Sequence, residues 1–467
     1  MTRLALAFTA AVALLVATAC AGQPATPTPP AATAPPAPTA NAARPDQPAA
    51  PKPVESATTP AATPAAKPVA TAAATPSAAA PTPAAATVAK PSVPGAPPLP
   101  TATAAPAATR PAATSESARP AGTPTVKVET VLRGLDTPWA IAFAPDGRWF
   151  VTERPGRIRV VENGQLLPEP WMTFDVWERE NSEAGLLGIA LDPKFAENRF
   201  VYLAYTYPAG GRLQNRLVRL RDDPATKRGV QDRVLFDGVL GNENHDGGRV
   251  KFGPDGKLYW TMGESYIPNL AQDRSSPSGK ILRLNPDGSV PPDNPFPGSP
   301  VYSMGHRNPQ GLAWQPGTGR LYATEHGPSA QQGCCNDELN YIEPGKNYGW
   351  PMIRGDQTRE GLESPVLQSG SSTTWAPSGA TFVTGGPWAG SLLFVGLRGQ
   401  ALYRVAVDQQ DPRKARLVET LLARQYGRLR DVVEGPDGAI YLLTSNRDGR
   451  GTPASDDDRV LRLTLTA

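Results

Sequence analysis

One phrase recurs through the C-terminal three quarters of the chain: an apolar pair, a turn of the Pro-Asp-Gly type, and then alternating aromatic and aliphatic residues. Each copy predicts two short strands joined by a tight turn, because proline and glycine favour turns and period-two alternation is typical of strands. A single such unit cannot bury both of its faces, so repeated units favour a stacked architecture. The copies are IAFAPDGRWFVTE (141–153), IALDPKFAENRFVYLAY (189–205), VKFGPDGKLYWTMGE (250–264), LAWQPGTGRLYATEHG (312–327), GGPWAGSLLFVGLRG (385–399) and VVEGPDGAIYLLTSN (432–446).

Six copies predict an all-β fold, a six-bladed β-propeller over residues 124–467. The strand-like segments VKVETVLRGL (126–135) and DRVLRLTLTA (458–467) are expected to share one blade and so close the ring. No long stretch of helical periodicity occurs in this part of the sequence. The competing architecture is a β-sandwich built from repetitive hairpins.

The first 20 residues have the features of a secretory signal: a basic start at Arg3, an apolar run over 4–17, and small residues leading to Cys20. The segment is too short to be retained as a spanning helix. The small residues directly before Cys20 resemble a bacterial lipobox, which predicts an exported, extracytoplasmic protein anchored to a membrane through acylated Cys20. An ordinary signal peptide with an unrelated cysteine is the alternative.

Residues 21–123 are almost entirely Ala, Pro, Thr and Ser and contain no aromatic residue. Such a composition cannot bury enough apolar surface to offset the entropy of ordering, so this segment is predicted to be a disordered stalk that carries the propeller. The formal net charge is only +3, and no run of Lys and Arg alternates with aromatic residues. Nucleic-acid binding is therefore unsupported.

Cys334 and Cys335 are adjacent, a spacing that fits neither a C-x-x-C redox pair nor a zinc knuckle. Two interpretations stay open, a vicinal disulfide and two small buried residues. The chain has three histidines, at 245, 306 and 326, each in a glycine-rich loop next to a hairpin copy. In a propeller, such loops converge at one end of the channel. The alternative is that they are hydrogen-bonding surface residues, since none has the spacing of a zinc hydrolase.

Longer stretches then identify a family. The segments GLLGIALDPKF, NHDGGRVKFGPDGKLY, AQDRSSPSGKILRLNPDGSVPPDNPF, GHRNPQGLAW, DELNYIEPGKNYGWP, LRGQALYRV and RLRDVVEGPDG occur in this order. Together they resemble the soluble glucose and aldose sugar dehydrogenases, which use pyrroloquinoline quinone (PQQ) and are six-bladed propellers with the quinone over the central channel. The resemblance covers about residues 126–466. The segments GHRNPQG and KNYGWP are its most specific parts.

The resemblance implies roles for individual residues. His245 matches the family's general base, which takes the proton of the anomeric hydroxyl while hydride passes to the quinone. Arg307 and Asn308 match residues that contact the cofactor, and a guanidinium there suits the negative charge that develops on the quinone. Glu183 stands where some relatives have a glutamine near cofactor and sugar.

Arginines and a calcium site are implied in the same way. Arg398, Arg428 and Arg430 fall where the family has cations around the cofactor's carboxylates. The main-chain carbonyls of Gly327 and Pro328 match the pair that holds a calcium ion beside the quinone, and Glu338 and Tyr348 match positions around a second, structural calcium.

Some positions depart from the family pattern. The glucose-specific branch commonly has lysine where Arg398 stands and aspartate where Asn244 stands, and Glu264 replaces an aspartate. The insertion SAQQGCC lengthens a usually short loop between Gly327 and Glu338. The resemblance thus predicts oxidation of aldoses to lactones, with the preferred sugar and the electron acceptor undefined. The alternatives are a non-catalytic propeller that binds carbohydrate or protein, and the same chemistry on sorbosone or oligosaccharide ends.

Overall fold

The computed structural model describes residues 124–328 and 334–466. The predicted signal peptide with Cys20, and the predicted linker over 21–123, lie outside the described residues and stay predictions. Within the described ranges, no helix has both the length and the apolar character needed to cross a bilayer.

Nearly all regular structure is β-strand. One short helix, α1 (Phe195–Asn198), and two 3₁₀ turns, Pro268–Gln272 and Gly386–Trp388, complete it in the described ranges. The strands are β1 Thr125–Leu132, β2 Pro138–Phe143, β3 Trp149–Glu153, β4 Arg157–Glu162, β5 Gln165–Leu166, β6 Met172–Thr173, β7 Leu186–Leu191, β8 Phe200–Ala209, β9 Arg212–Asp223, β10 Arg228–Leu240, β11 Val250–Phe252, β12 Leu258–Met262, β13 Lys280–Leu284, β14 Val301–Met304, β15 Pro309–Trp314, β16 Leu321–Glu325, β17 Glu338–Ile342, β18 Leu367–Gln368, β19 Pro377–Phe382, β20 Leu392–Gly396, β21 Ala401–Val407, β22 Ala415–Leu421, β23 Leu429–Glu434, β24 Ile440–Thr444 and β25 Val460–Thr466.

These strands form six separate antiparallel sheets. Five sheets follow chain order: β2 to β5 with β6 added on β4, then β7 to β10, β11 to β14, β15 to β18, and β19 to β22. The sixth has the order β1-β25-β24-β23, with Thr125 opposite Thr466 in the β1–β25 register. The predicted six-bladed propeller and its closure by the two chain ends are confirmed. The described strands do not form a two-sheet sandwich.

Four hairpin copies have the predicted form of strand, tight turn and strand. The second copy differs because α1 connects β7 to β8. The fifth quoted copy, 385–399, was placed too late, since its first strand, β19, ends at Phe382. In that blade a 3₁₀ turn with Gly386 at positive φ replaces the Pro-Asp-Gly turn.

At five of the six junctions between neighbouring sheets, the first strands pack against each other. In two of these strands, the third residue lies very close to the backbone of the neighbouring sheet. Gly188 in β7 donates its N–H to the carbonyl of Gly248 at 3.0 Å, and an added Cβ would collide with that oxygen. Gly311 in β15 lies equally close to the carbonyl of Ser378. A side chain at these points would push blades apart, so glycine permits the ring to close tightly.

The core lies between adjacent sheets rather than within one. Tyr202 and Leu217 of one sheet pack with Leu258 and Trp260 of the next, and all four are buried. Because the strands within a sheet are antiparallel, the start of the first strand and the end of the second lie at the same end of each blade. Loops before first strands and after second strands therefore converge at one end of the ring.

Candidate active site

A cavity of about 490 Å³ lies among these converging loops. Five of the six sheets contribute to its described lining, and the sheet of β2 to β6 does not. Most of the residues singled out in the sequence meet here although they are far apart in the chain. The predicted site residues in the lining are Glu183, His245, Arg307, Gly327, Pro328, Arg398 and Arg428.

His245 is buried and oriented by a carboxylate. Its Nδ1 lies 2.7 Å from Oε2 of Glu264, which follows β12. The backbone of His245 is in the left-handed region, φ 64°, and a Cβ on Gly263 would collide with its carbonyl oxygen. Glycine at 263 is thus required for the approach of the two loops. Since Nδ1 is engaged, Nε2 is the ring nitrogen left for a ligand in the cavity.

Glu183 is the central anion of the site. Its Oε2 accepts hydrogen bonds from Nδ2 of Asn308 at 3.0 Å and from the backbone N–H of His245 at 3.3 Å, and Arg450 binds Oε1 at 3.2 Å. Burial alone would raise the pKa of Glu183, but the charges of His326 in its protonated form and of Arg450 and Arg430 lower the pKa far below its usual range. Glu183 is therefore ionised at every physiological pH.

Arginines surround this anion at two depths. Arg398 is exposed in the lining, whereas Arg428 is buried there and paired with Asp448, Nη2 to Oδ2 at 2.7 Å. Arg430 lies deeper and does not line the cavity. Its Nη1 donates to Oε1 of Gln310 at 2.7 Å, and its Nε has no hydrogen-bond partner among the described residues.

Burial also lowers the pKa of the guanidinium groups in this part of the site. Burial lowers the pKa of Arg430 to about 9, and it lowers the pKa of Arg307 and of Arg428 as well. Buried cations with incomplete compensation are stabilised by an anionic ligand. Buried guanidinium groups around the cavity thus favour a ligand that carries carboxylate groups.

Gly327 and Pro328 line the cavity next to a tightly packed loop. The N–H of Gly327 donates to Oδ1 of Asp337 at 2.9 Å, while Oδ2 of Asp337 accepts from the N–H of Trp375 at 2.7 Å. A Cβ on Gly327 would collide with the carbonyl oxygens of Cys335 and Asn336. Carbonyl and carboxylate oxygens, the donors that calcium prefers, are therefore concentrated here.

Of the two interpretations of the adjacent cysteines, the structure has the disulfide between Cys334 and Cys335. Cys334 lies in the cavity lining.

The residues matched to a second calcium lie apart from this cavity. Glu338 accepts from Nδ2 of Asn340 at 3.1 Å, and burial together with neighbouring Glu325 raises the pKa of Glu338 to about 8. The hydroxyl of Tyr348 is occupied, donating to the carbonyl of Tyr341 at 2.6 Å. In the described ranges no group of three or more His, Cys, Asp or Glu side chains forms a metal cluster. Main-chain and amide oxygens would have to complete any such site.

The other two histidines have different surroundings. His306 is fully buried between Glu325 and Ser303. His326 lines the cavity, and burial lowers its pKa to about 4, so it is neutral at neutral pH.

Several lining residues escaped the sequence reasoning. These residues have similar positions in the chain. Most of them follow the second strand of a hairpin copy or precede the first strand of the next copy. Arg450, in SNRDGRG, immediately follows the sixth copy and binds the side chains of both Glu183 and Asn244. The other unpredicted lining residues include Tyr266, Asp337 and Thr374.

Comparisons with known proteins agree with this geometry. The profile of the glucose/sorbosone dehydrogenase family matches residues 135–455. The aldose sugar dehydrogenase YliI of Escherichia coli K12 is 33% identical over 361 residues, covering 71% of this chain and 94% of the relative. Quinoprotein glucose dehydrogenase B of Acinetobacter calcoaceticus is 28% identical and covers 71% and 87%.

Among solved structures, the PQQ-bound form of the aldose sugar dehydrogenase from Streptomyces coelicolor superposes with a TM-score of 0.65 at 40% identity, covering 74% of this chain and 100% of that one. The expected family is thereby confirmed. With its six blades and its cavity over the channel, this chain belongs to the glucose/sorbosone dehydrogenase family.

Proposed function

We propose that the protein oxidises the anomeric carbon of aldose sugars to lactones with pyrroloquinoline quinone as cofactor. The observation that carries this proposal is the meeting of the His245 imidazole with buried guanidinium groups from other blades around a single cavity. The PQQ-bound relative and the aldose and glucose dehydrogenases of the same family support it.

The residues present suit the cofactor. A flat tricarboxylate requires several fixed donors, and Arg398, Arg428 and Arg307 line the cavity. Arg430 lies just beneath, with an Nε that has no partner in the described part of the chain. Asn308 would contact the cofactor from its position beside Glu183. When bound, the quinone supplies the acceptor for the hydride that leaves C1 of the sugar.

Calcium is the second part of the proposal. The carbonyl oxygens of Gly327 and Pro328 would hold the ion beside the cofactor, where it would act as a Lewis acid. Glu338, helped by main-chain oxygen at Tyr348, would hold a second, structural calcium. The buried Oδ1 of Asn340, which has no partner among the described residues, is a further oxygen donor near Glu338.

His245 acts as the base. With Nδ1 held by Glu264, its Nε2 accepts the proton of the anomeric hydroxyl as the C1–H bond breaks. The carboxylate of Glu264 fixes the ring and stabilises the imidazolium that forms. Arg307, whose Nη1 donates to the carbonyl of His326 at 3.3 Å, is oriented to stabilise negative charge at the reacting end of the cavity.

The test is reconstitution. The purified protein is mixed with pyrroloquinoline quinone and Ca²⁺, and dye reduction is followed with glucose, other aldoses, sorbosone and maltose. We expect sugar-dependent reduction by the wild type and its loss in His245→Ala, with the cofactor still bound by absorbance titration. Cofactor binding without oxidation of any sugar would favour a carbohydrate- or protein-binding propeller. Failure to bind the cofactor would refute the proposal.

Export and anchoring complete the proposed function. Electrons would pass to an acceptor outside the cytoplasm, and acylated Cys20 would hold the stalk at a membrane. Membrane fractionation of the wild type and of Cys20→Ser in a bacterial host tests this, because only the wild type should sediment with membranes. Equal distribution of both proteins would contradict the anchor.

A further inference from the structure

Tyr266 presents an aromatic ring at the mouth of the cavity. Its side chain is 48% exposed although it lines the cavity, and its ring centroid lies 4.1 Å from that of His245. The other exposed large apolar side chains in the described ranges, which are Val230, Val234, Ile267 and Met352, do not line the cavity. A half-exposed aromatic ring beside the base is thus specific to this position.

The ring contacts His245 and Asn244, and the backbone that carries it is also constrained. Ser265 and Tyr266 both have left-handed backbone, with φ of 54° and 61°, which is unfavourable for residues other than glycine. Hydrogen bonds tie down the two residues before Tyr266: Ser265 Oγ donates to the carbonyl of Leu240 at 2.8 Å, and the N–H of Glu264 donates to the carbonyl of Arg307 at 2.9 Å.

Such a conformation persists only where surrounding contacts impose it, and it is concentrated at functional sites. Because the anchoring bonds are made by the backbone and by Ser265, loss of the Tyr266 ring would leave the segment in place. The part of the ring that His245 and Asn244 leave exposed is available to a ligand.

We propose that Tyr266 is the sugar-stacking platform of the site, on which the C–H face of a pyranose lies while its anomeric hydroxyl reaches Nε2 of His245. This inference rests on the proposed function and adds a residue that positions its sugar substrate. Aromatic rings bind apolar faces and leave hydroxyl groups free for polar partners. Those partners are near, since Asn244 and Arg450 line the same cavity and bind each other.

The platform recognises the shape of the sugar ring, whereas other side chains recognise its pattern of hydroxyl groups. Stacking on one face requires a flat array of C–H groups, whereas Asn244, Arg450 and Glu183 can distinguish hydroxyl positions. Aldoses with an equatorial hydroxyl pattern, whose faces are flat, should therefore bind better than those with an axial hydroxyl on the stacked face.

The experiment compares Tyr266→Ala, Tyr266→Phe and Ile267→Ala. Ile267 is the matched control because it is adjacent, 47% exposed and outside the cavity lining. We expect Tyr266→Ala to raise KM for glucose about tenfold with a smaller change in kcat, Tyr266→Phe to raise it less than about threefold, and Ile267→Ala to match the wild type.

A second readout does not depend on turnover. The probe is 1,5-anhydroglucitol, a pyranose without an anomeric hydroxyl, and saturation-transfer NMR reports its contact with the cofactor-loaded protein. Transfer to its ring protons in the wild type and in Tyr266→Phe, lost in Tyr266→Ala, supports the platform.

Two results would overturn it. If Tyr266→Ala lowers kcat and shifts its pH profile while KM and the NMR signal stay unchanged, the ring only positions His245. If the probe receives no saturation in the wild type, no pyranose stacks there. Failure of the proposed function looks different, because the wild type would then bind cofactor but oxidise no sugar, and the NMR signal alone would decide about the platform.

Discussion

The loops around His245 and His306 each combine a histidine, a glutamate and a tyrosine, but the two histidines have different surroundings. In each, Nδ1 of the histidine lies 2.7 Å from a glutamate 19 residues later, Glu264 or Glu325. In each, a tyrosine ring packs against the imidazole, with centroids 4.1 Å apart for Tyr266 and 4.8 Å apart for Tyr348.

The difference lies in the second ring nitrogen. Nε2 of His306 is hydrogen-bonded to Oγ of Ser303 at 2.8 Å, and Tyr348 is only 4% exposed. His245 has no second partner among the described side chains, and Tyr266 is 48% exposed. A carboxylate–histidine pair is therefore a structural element where both nitrogens are satisfied, and it is suited to proton transfer where one nitrogen faces a cavity.

The largest effect is expected from exchanging the two histidines for glutamine. His245→Gln should lower kcat for aldose oxidation about 10² to 10⁴-fold, because it removes the base. His306→Gln should change kcat less than about threefold but lower the free energy of unfolding by about 2–3 kcal/mol, because it breaks a buried hydrogen-bond network. Dye-reduction kinetics and urea unfolding of both variants measure this. If both variants lost activity equally, the distinction between a catalytic His245 and a structural His306 would be wrong.

The glutamate behind the base should have a smaller effect. Glu264→Gln should lower kcat about 10 to 100-fold with little change in cofactor affinity, because an amide stabilises the imidazolium less and holds the ring less firmly. Glu264→Asp retains the charge and should recover part of the activity. The readouts are kcat by dye reduction and cofactor affinity by absorbance titration. A fully active Glu264→Gln would mean that the ring is oriented by other contacts.

Asp246 directly follows His245, and its titration should make the stability of the protein depend on pH. Burial raises the pKa of Asp246 from 3.8 to about 7, with Glu183 and Glu264 adding to the increase, and its Oδ2 has no partner among the described residues. The folded state then binds this proton more tightly than the unfolded state, so its contribution to stability is present at low pH and is lost as pH rises through about 7.

Thermal unfolding at pH 5, 6.5 and 8 measures the effect. The wild type should lose up to about 2 kcal/mol more than Asp246→Asn between the lowest and highest pH. The asparagine retains an oxygen acceptor for Nδ2 of Asn215, which lies 2.9 Å from Asp246 Oδ1. Parallel pH profiles for the two proteins would show that Asp246 does not titrate in this range.

The smallest effect should come from Ser303→Ala, which leaves Nε2 of His306 without its partner. We expect a loss of about 1 kcal/mol in unfolding free energy and no change in kcat. The measurement is urea unfolding alongside dye-reduction kinetics. An increase in sugar oxidation by this variant would mean that Nε2 of His306 takes part in catalysis. That result would contradict the structural role assigned to His306.

Much of the fold was predictable because propeller blades are local. The turn chemistry of each hairpin copy, such as Pro254 to Gly256, is written in consecutive residues, and neighbouring strands in a blade follow one another in the chain. The fifth copy was misplaced because β19 ends at a glycine-rich 3₁₀ turn, whose sequence lacks the Pro-Asp-Gly signal.

The candidate site was predictable in part from the glycine-rich loops that hold His245 and His326, and otherwise only where a resemblance supplied it. His245 and Arg428 were found that way, and their roles stay predictions. Arg450 was missed because no local pattern distinguishes an arginine that crosses to Glu183, 267 residues earlier, from one that is solvated. Tyr266 was missed for a similar reason, since the alternation of β12 ends before it.

By itself, the sequence determined the number of hairpins, the all-β class and the joining of the two ends in one blade, because turn propensity and two-residue alternation act over a few neighbouring residues. Only the tertiary structure decided which of two equivalent histidine–glutamate pairs faces a cavity and which is sealed. That choice depends on side chains contributed by other blades, and burial is a property of the whole ring.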